Sequence, residues 1–169
     1  MSRLPPLEPA RLAPDQRRVY DAIASGPRGG VRGPFLALIH VPELTDRIQH
    51  LGEYLRFGTS FPPRLSELAV LITARHYTCQ YEWQAHEPHA LKGGLAQSII
   101  DAIKARRRPD GMQPDELTVY EFATELLANG KISDAAYERV VKAFGTRGAV
   151  ELAALIGYYI MIGMTLLAH

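Results

Sequence analysis

The final stretch of the chain limits its folding most. From Leu152 to Ala168 it runs for 17 residues without a charge, and a segment of that kind has to be taken out of water. Its length sits at the lower edge of a membrane span. Glu151 adjoins it, Gly157, Gly163 and Thr165 dilute it, and no basic residue flanks its end at His169. The reading that follows is a helix apolar all round, buried in a core or against another subunit, with no membrane partner. The opening MSRLPPLEPARL lacks the apolar centre of a signal peptide, so a cytoplasmic location is expected.

Helical periodicity accounts for the rest. Residues 14–24 open on Pro14 and Asp15 and put Val19 and Ile23 on one face. Residues 25–34, with four glycines and two prolines, form a loop. A second helix is expected over 42–57, with Leu44, Ile48, Leu51 and Leu55 at core spacing. Pro62 and Pro63 open a third, to about Tyr77. A fourth covers 79–92, kinked or shortened by Pro88. Further helices follow over 96–107, with Ile99, Ile100 and Ile103 inward, and over 115–128, ending at Asn129-Gly130. Ser133 caps 134–144, whose apolar stripe is Ala136, Tyr137, Val140 and Val141, and a last helix begins near Arg147. No strand alternation and no repeat interrupts this, so the fold class is all-α, an oligomeric bundle of about seven to eight helices. Residues 1–25 read as an N-terminal arm with the first helix, and 26–169 as the helical domain proper, within a single domain overall.

Composition narrows the function. With 169 residues and 47% hydrophobic content the chain can close a core unaided. Its net charge of +1 gives no field that would recruit nucleic acid. Lys104 with Arg106–Arg108 is a short basic run without interleaved aromatics, which favours a solvated helix end over an RNA patch. The single cysteine, Cys79, excludes an internal disulfide and a cysteine-rich zinc site. The glycine-rich loop lacks the lysine–serine/threonine ending of a phosphate-binding loop. The string His86-Glu87-Pro88-His89 is not a zinc motif. No metal and no cofactor is expected.

Reactive side chains concentrate in Thr78–His86. On a helix, Cys79, Glu82, Trp83 and His86 fall at i, i+3, i+4 and i+7, which gathers a thiol, a carboxyl, an indole and an imidazole on one face. Glu82 and His86, one turn apart, form a carboxylate–imidazole pair able to set a tautomer and raise basicity, or simply a solvated surface pair. Glu67, set among apolar residues, reaches that face if its helix folds back as an antiparallel hairpin about Tyr77-Thr78. Tyr81 and Arg75 complete the candidates.

This pattern resembles the carboxymuconolactone decarboxylase / alkylhydroperoxidase D-like (AhpD-like) family: Glu67, Cys79 twelve positions on, Glu82-Trp83 and His86, followed by Ala90–Leu95. The likeness extends through Gly33–Leu44 and Glu151–Gly163. It implies an all-helical fold assembled as a homotrimer or hexamer. The hydroperoxidase branch carries Cys-x-x-Cys with a histidine four residues beyond. Here Glu82 stands in place of the second cysteine, so an intramolecular dithiol cycle is impossible. The decarboxylase-like branch, which manages without the pair, lies closer.

The expected function is therefore a cofactor-independent lyase acting on a small carboxylated or lactone compound by proton transfer. In it His86 donates a proton, Glu82 or Glu67 orients it, Cys79 and Trp83 wall the pocket, and Arg75 grips a substrate carboxylate. Tyr81 is expected to contact substrate with Trp83 and Arg75, and Glu67 or Tyr81 is the reserve proton donor. The alternatives are a single-cysteine thiol peroxidase working through Cys79, and an oligomeric binding protein without chemistry.

Overall fold

Proline sets the start of most helices in this chain. A computed structural model describes residues 3–169. Among them α1 (Pro14–Ser25), α2 (Pro34–Leu38), α3 (Pro42–Phe57), α4 (Pro63–His76) and α7 (Pro114–Asn129) all carry proline at the first turn. There its fixed φ suits the helix and its missing N–H is not needed. The others are α5 (Gln80–Lys92), α6 (Gln97–Lys104) and α8 (Asp134–Ala168), and no strand occurs among the described residues. The fold is all-α, as the periodicity predicts.

The chain divides into two compact units. The first comprises the described residues up to Gly58 with Ile162–His169. Here α3 packs on α1 and α2, closing over Val19, Ile23, Leu38, Ile48 and Leu55. The Gln16 side chain accepts the Ala13 N–H at 3.1 Å and donates to the Ile39 carbonyl at 3.2 Å, tying the start of α1 to the segment after α2. The sequence pattern missed α2, whose five residues are too few to show a period. It also placed Leu44 and Leu51 inward, whereas both are nearly half exposed and only Ile48 and Leu55 are buried.

The second unit, Thr59–Met161, is organised around α4, which touches α5, α6 and α7. With neighbours on several sides, α4 buries Leu65, Ser66 and every residue from Leu68 to Ala74. Glu67 is the one carboxylate in that row. Arg64, at the start of α4, binds the start of α7 through Asp115 (Nη2–Oδ2 2.5 Å) and the buried Glu116 (Nη1–Oε1 2.5 Å). Burial alone would raise the Asp115 carboxyl, but the Arg64 guanidinium outweighs it and holds the pKa below the usual value.

The α4–α5 hairpin turns through a left-handed C-cap. Thr78 has φ of 57°, its N–H bonds the Arg75 carbonyl, and the Cys79 N–H reaches back to Ala74. A β-branched residue in that conformation costs about 1–2 kcal/mol. The Thr78 hydroxyl is held by Arg106 Nη2 at 2.8 Å, and Arg106 occupies the matching left-handed position (φ 56°) after α6. At the far end of the hairpin, a Cβ on Gly93 would stand 2.9 Å from the Arg64 backbone nitrogen, so only glycine lets α5 approach the start of α4 so closely.

Two expectations need correction. Pro88 does not shorten α5, which continues to Lys92; the acceptor that loses its donor, the Gln84 carbonyl, belongs to an exposed residue that water can serve. The stretch 134–144 and the last helix are two helices, as expected, meeting within α8 at a break at Gly145 (φ 71°, ψ 174°), a conformation open to glycine. Tyr137 is exposed, while Ala136 and Val140 form the buried stripe. Ser133 does cap this helix, accepting the Ala136 N–H at 3.4 Å.

The apolar run ending α8 is long and apolar enough to cross a membrane by length and composition. Leu152, Leu155, Ile156, Tyr158, Tyr159 and Ile162 are buried within the protein, whereas Val150, Met164 and Leu167 are exposed.

Candidate active site

Burial on α4 and the hairpin turn together decide which acids meet the histidine. Glu67 projects from the middle of α4, and α5, returning antiparallel, brings His86 to it: Nδ1 lies 2.6 Å from Glu67 Oε2. The other ring nitrogen, Nε2, lies 3.3 Å from Oε2 of Glu82, one turn earlier on α5. The His86 and Glu82 side chains are each 6% exposed and that of Glu67 13%, so Glu67 is the edge of the cluster nearest solvent. The Tyr159 ring meets the imidazole edge to face, with centroids 5.0 Å apart and planes at 89°.

A neutral imidazole can donate from only one nitrogen. With a carboxyl group at each nitrogen, hydrogen bonds on both sides require either an imidazolium between two carboxylates or a neutral ring with one carboxyl protonated. In both descriptions the three groups share a proton in an apolar setting. Burial pulls the His86 pKa down, but the hydrogen bonds and charges of Glu67 and Glu82 outweigh it and leave the pKa above the ordinary imidazole value. The arrangement favours the protonated ring more than an ordinary imidazole does.

The remaining candidates are placed elsewhere. Cys79 is buried but precedes α5 as its N-cap instead of continuing the helical face. Burial pushes its thiol up, and the Glu82 charge adds to this against the backbone amides of Glu82 and Tyr81. Cys79 lines a cavity of about 210 Å³ with Arg75, Thr78, Trp83 and Lys104, a set that does not include His86. Trp83 is buried, its indole N–H donating to Glu87 Oε2 at 2.9 Å, with the Lys104 ammonium over its ring. Tyr81 is exposed.

Arg75 follows Glu67 by eight residues, about 12 Å along the helix axis, and its Nε donates to the Lys104 carbonyl at 2.7 Å. It cannot grip a group that is bonded to His86. Sequence reasoning missed Tyr159: one aromatic in an apolar run carries no mark of the histidine it packs on. The described residues contain no group of three or more His, Cys, Asp or Glu side chains arranged to hold a metal ion.

Fold and cluster together define a helical protein with a buried acid–base site and a lone, separately housed thiol. No family model matches the sequence, and no curated protein matches it. Among solved structures, the fold is similar to that of the debrominase Bmp8 in its apo form. The TM-score is 0.73 at 16% sequence identity, over 96% of this chain and 87% of that one. At that identity the likeness establishes the all-helical fold, and the chemistry has to be argued from the side chains in hand.

Proposed function

We propose that the protein is a cofactor-independent enzyme of the carboxymuconolactone decarboxylase-like type, a lyase using His86 as general acid on a small carboxylated or lactone compound. The observation that carries this is the placement of the buried His86 between Glu67 and Glu82, whose carboxyl groups raise its pKa above the ordinary imidazole value. The shorter contact, at Nδ1, makes Glu67 the group that fixes the ring. The longer one leaves Nε2 as the nitrogen from which a proton is delivered.

In the decarboxylation of an unsaturated lactone acid, the bond to the carboxylate carbon breaks and carbon dioxide leaves. The electron pair passes into the lactone carbonyl as a dienolate. Nε2–H then protonates carbon, and Nε2 recovers its proton from water when product leaves. One proton is consumed and one carbon dioxide released per turnover, with no redox change. The apolar surroundings strengthen the electrostatic interactions on which the transfer depends.

The decisive assay is turnover of a carboxylated unsaturated lactone in deuterium oxide. One deuterium is expected per product molecule, on a carbon of the former dienolate, and His86→Gln is expected to abolish the reaction. Full turnover by folded His86→Gln would refute the proposal.

The single-cysteine peroxidase reading gains nothing from Cys79. A thiol raised by burial, beside a carboxylate, is poorly suited to attack a peroxide.

A further inference from the structure

A second cavity in the Thr59–Met161 unit, about 170 Å³, lies where the end of α4, the turn after α6 and the face of α7 meet. Three arginines line it: Arg75 from α4, and Arg106 and Arg107 from the turn. None of them is in a salt bridge among the described residues. Arg75 spends its Nε on the Lys104 carbonyl and Arg106 one Nη on the Thr78 hydroxyl, which fixes the two side chains and leaves further N–H donors on each.

The neighbouring acids are occupied. Both oxygens of Glu121 are taken, by Arg108 at 3.0 Å and Arg139 at 3.4 Å; Glu125 accepts the Ser133 N–H at 2.7 Å; Asp101 accepts from Gln97 at 2.9 Å. No carboxylate lines the cavity, so its wall concentrates positive charge without a counter-ion of its own. The rest of its wall is apolar at Ile72, Ile103, Leu127 and the Tyr120 ring, with His76 and Thr124 as its other polar members.

We propose that this cleft binds a small amphipathic carboxylate, of about the size of a single aromatic ring. The carboxylate would be taken by the arginine forks and the hydrocarbon part laid on Ile72, Ile103 and Leu127. Guanidinium geometry matches a carboxylate through paired N–H donors. The apolar wall selects against a bare inorganic anion, which would gain nothing from it and would leave that wall in contact with water. The volume suits a ligand of single-ring size, since drug-sized molecules fill pockets of roughly 300 Å³ or more. The site is separate from the His86 cluster and stands whether or not that cluster is catalytic.

Titration of the full-length protein with benzoate, followed by calorimetry, tests the assignment. One saturable site is expected, with acetate and inorganic phosphate binding at least tenfold more weakly. Arg107→Ala should weaken benzoate at least tenfold. Arg107 is exposed and only its backbone N–H is engaged, by the Ala102 carbonyl, so the fold should survive the change. Arg107→Lys should recover part of the loss, and His86→Ala should bind benzoate as the parent does.

Absence of saturable binding would overturn the proposal. So would benzoate affinity unchanged in both Arg107→Ala and Arg75→Gln, or phosphate binding as tightly as benzoate. Loss of binding in His86→Ala with the arginine variants unaffected would place the ligand at the other site and equally refute it.

Discussion

His86 Nδ1 and Glu67 Oε2 are 2.6 Å apart although 19 residues separate them in the chain. Glu82, one turn away on the same helix, is farther from the ring, at 3.3 Å. The tertiary contact is thus tighter than the local one. It follows that Glu67→Gln should lower the His86 pKa more than Glu82→Gln does. Titration of the ring carbons by NMR measures this without any substrate, and an equal shift in the two variants would contradict the ranking.

Turnover should follow the same cluster. His86→Ala is expected to reduce it by about two to four orders of magnitude, the range for a positioned general acid. His86→Gln should do nearly as badly, because an amide hydrogen-bonds but does not release a proton. Glu82→Gln should cost less. The comparison is made at saturating substrate, on variants whose circular dichroism and mass match the parent.

The raised His86 pKa has a defined consequence for stability. A group whose folded pKa lies above its unfolded one binds its proton more tightly in the native state. The stabilisation is complete below the ordinary imidazole pKa of 6.5 and is lost as pH rises through the higher folded value. Denaturant midpoints should therefore fall as pH climbs beyond that window, and the fall should be smaller in His86→Gln. A parent and variant with parallel profiles would show that the ring is not protonated in the native state.

Arg64 offers a different stability test. Its removal leaves Glu116 buried without its cation, although the Gln113 N–H still bonds the other oxygen at 2.7 Å. Breaking a buried pair from one side costs about 3 kcal/mol or more. Arg64→Met should lose roughly that much, and the double variant with Glu116→Gln should recover part of it, as read from urea melts.

Cys79 should be slow to react. A native thiol that is 2% exposed with a raised pKa is expected to resist iodoacetamide until the protein is unfolded. Cys79→Ser should keep most of any lyase turnover. Peroxide-dependent thiol consumption that vanishes in Cys79→Ser would overturn the lyase assignment.

Assembly is expected to rely on exposed apolar residues. Ile156 is buried within its own chain, so a charge there should unfold the protein; Leu51 and Met164 are exposed and their substitution should act on association alone. Light scattering of the parent should give a trimer or hexamer of the 18.7 kDa chain, and Leu51→Asp or Met164→Asp a smaller species. A parent that is monomeric at micromolar concentration would refute the assembly.

Much of this protein is legible in one dimension. Helix ends are local events: Pro42, Pro63 and Pro114 open helices and Gly130 closes one in the left-handed conformation, because the φ each of these residues favours is independent of what packs nearby. The i, i+4 relation of Glu82 to His86 is equally local. Periodicity could not say which apolar face turns inward, so Leu44, Leu51 and Tyr137 were misplaced; it reports a stripe, and burial depends on which neighbour covers it.

The tertiary structure decided the rest. It seated Glu67 against His86 by folding α5 back on α4, and it set Cys79 apart as a helix cap. It also gathered Arg75, Arg106 and Arg107 around one cavity. Distances between side chains on different helices are set by crossing geometry and close approach, as at Gly93 against Arg64, and no spacing along the chain encodes them.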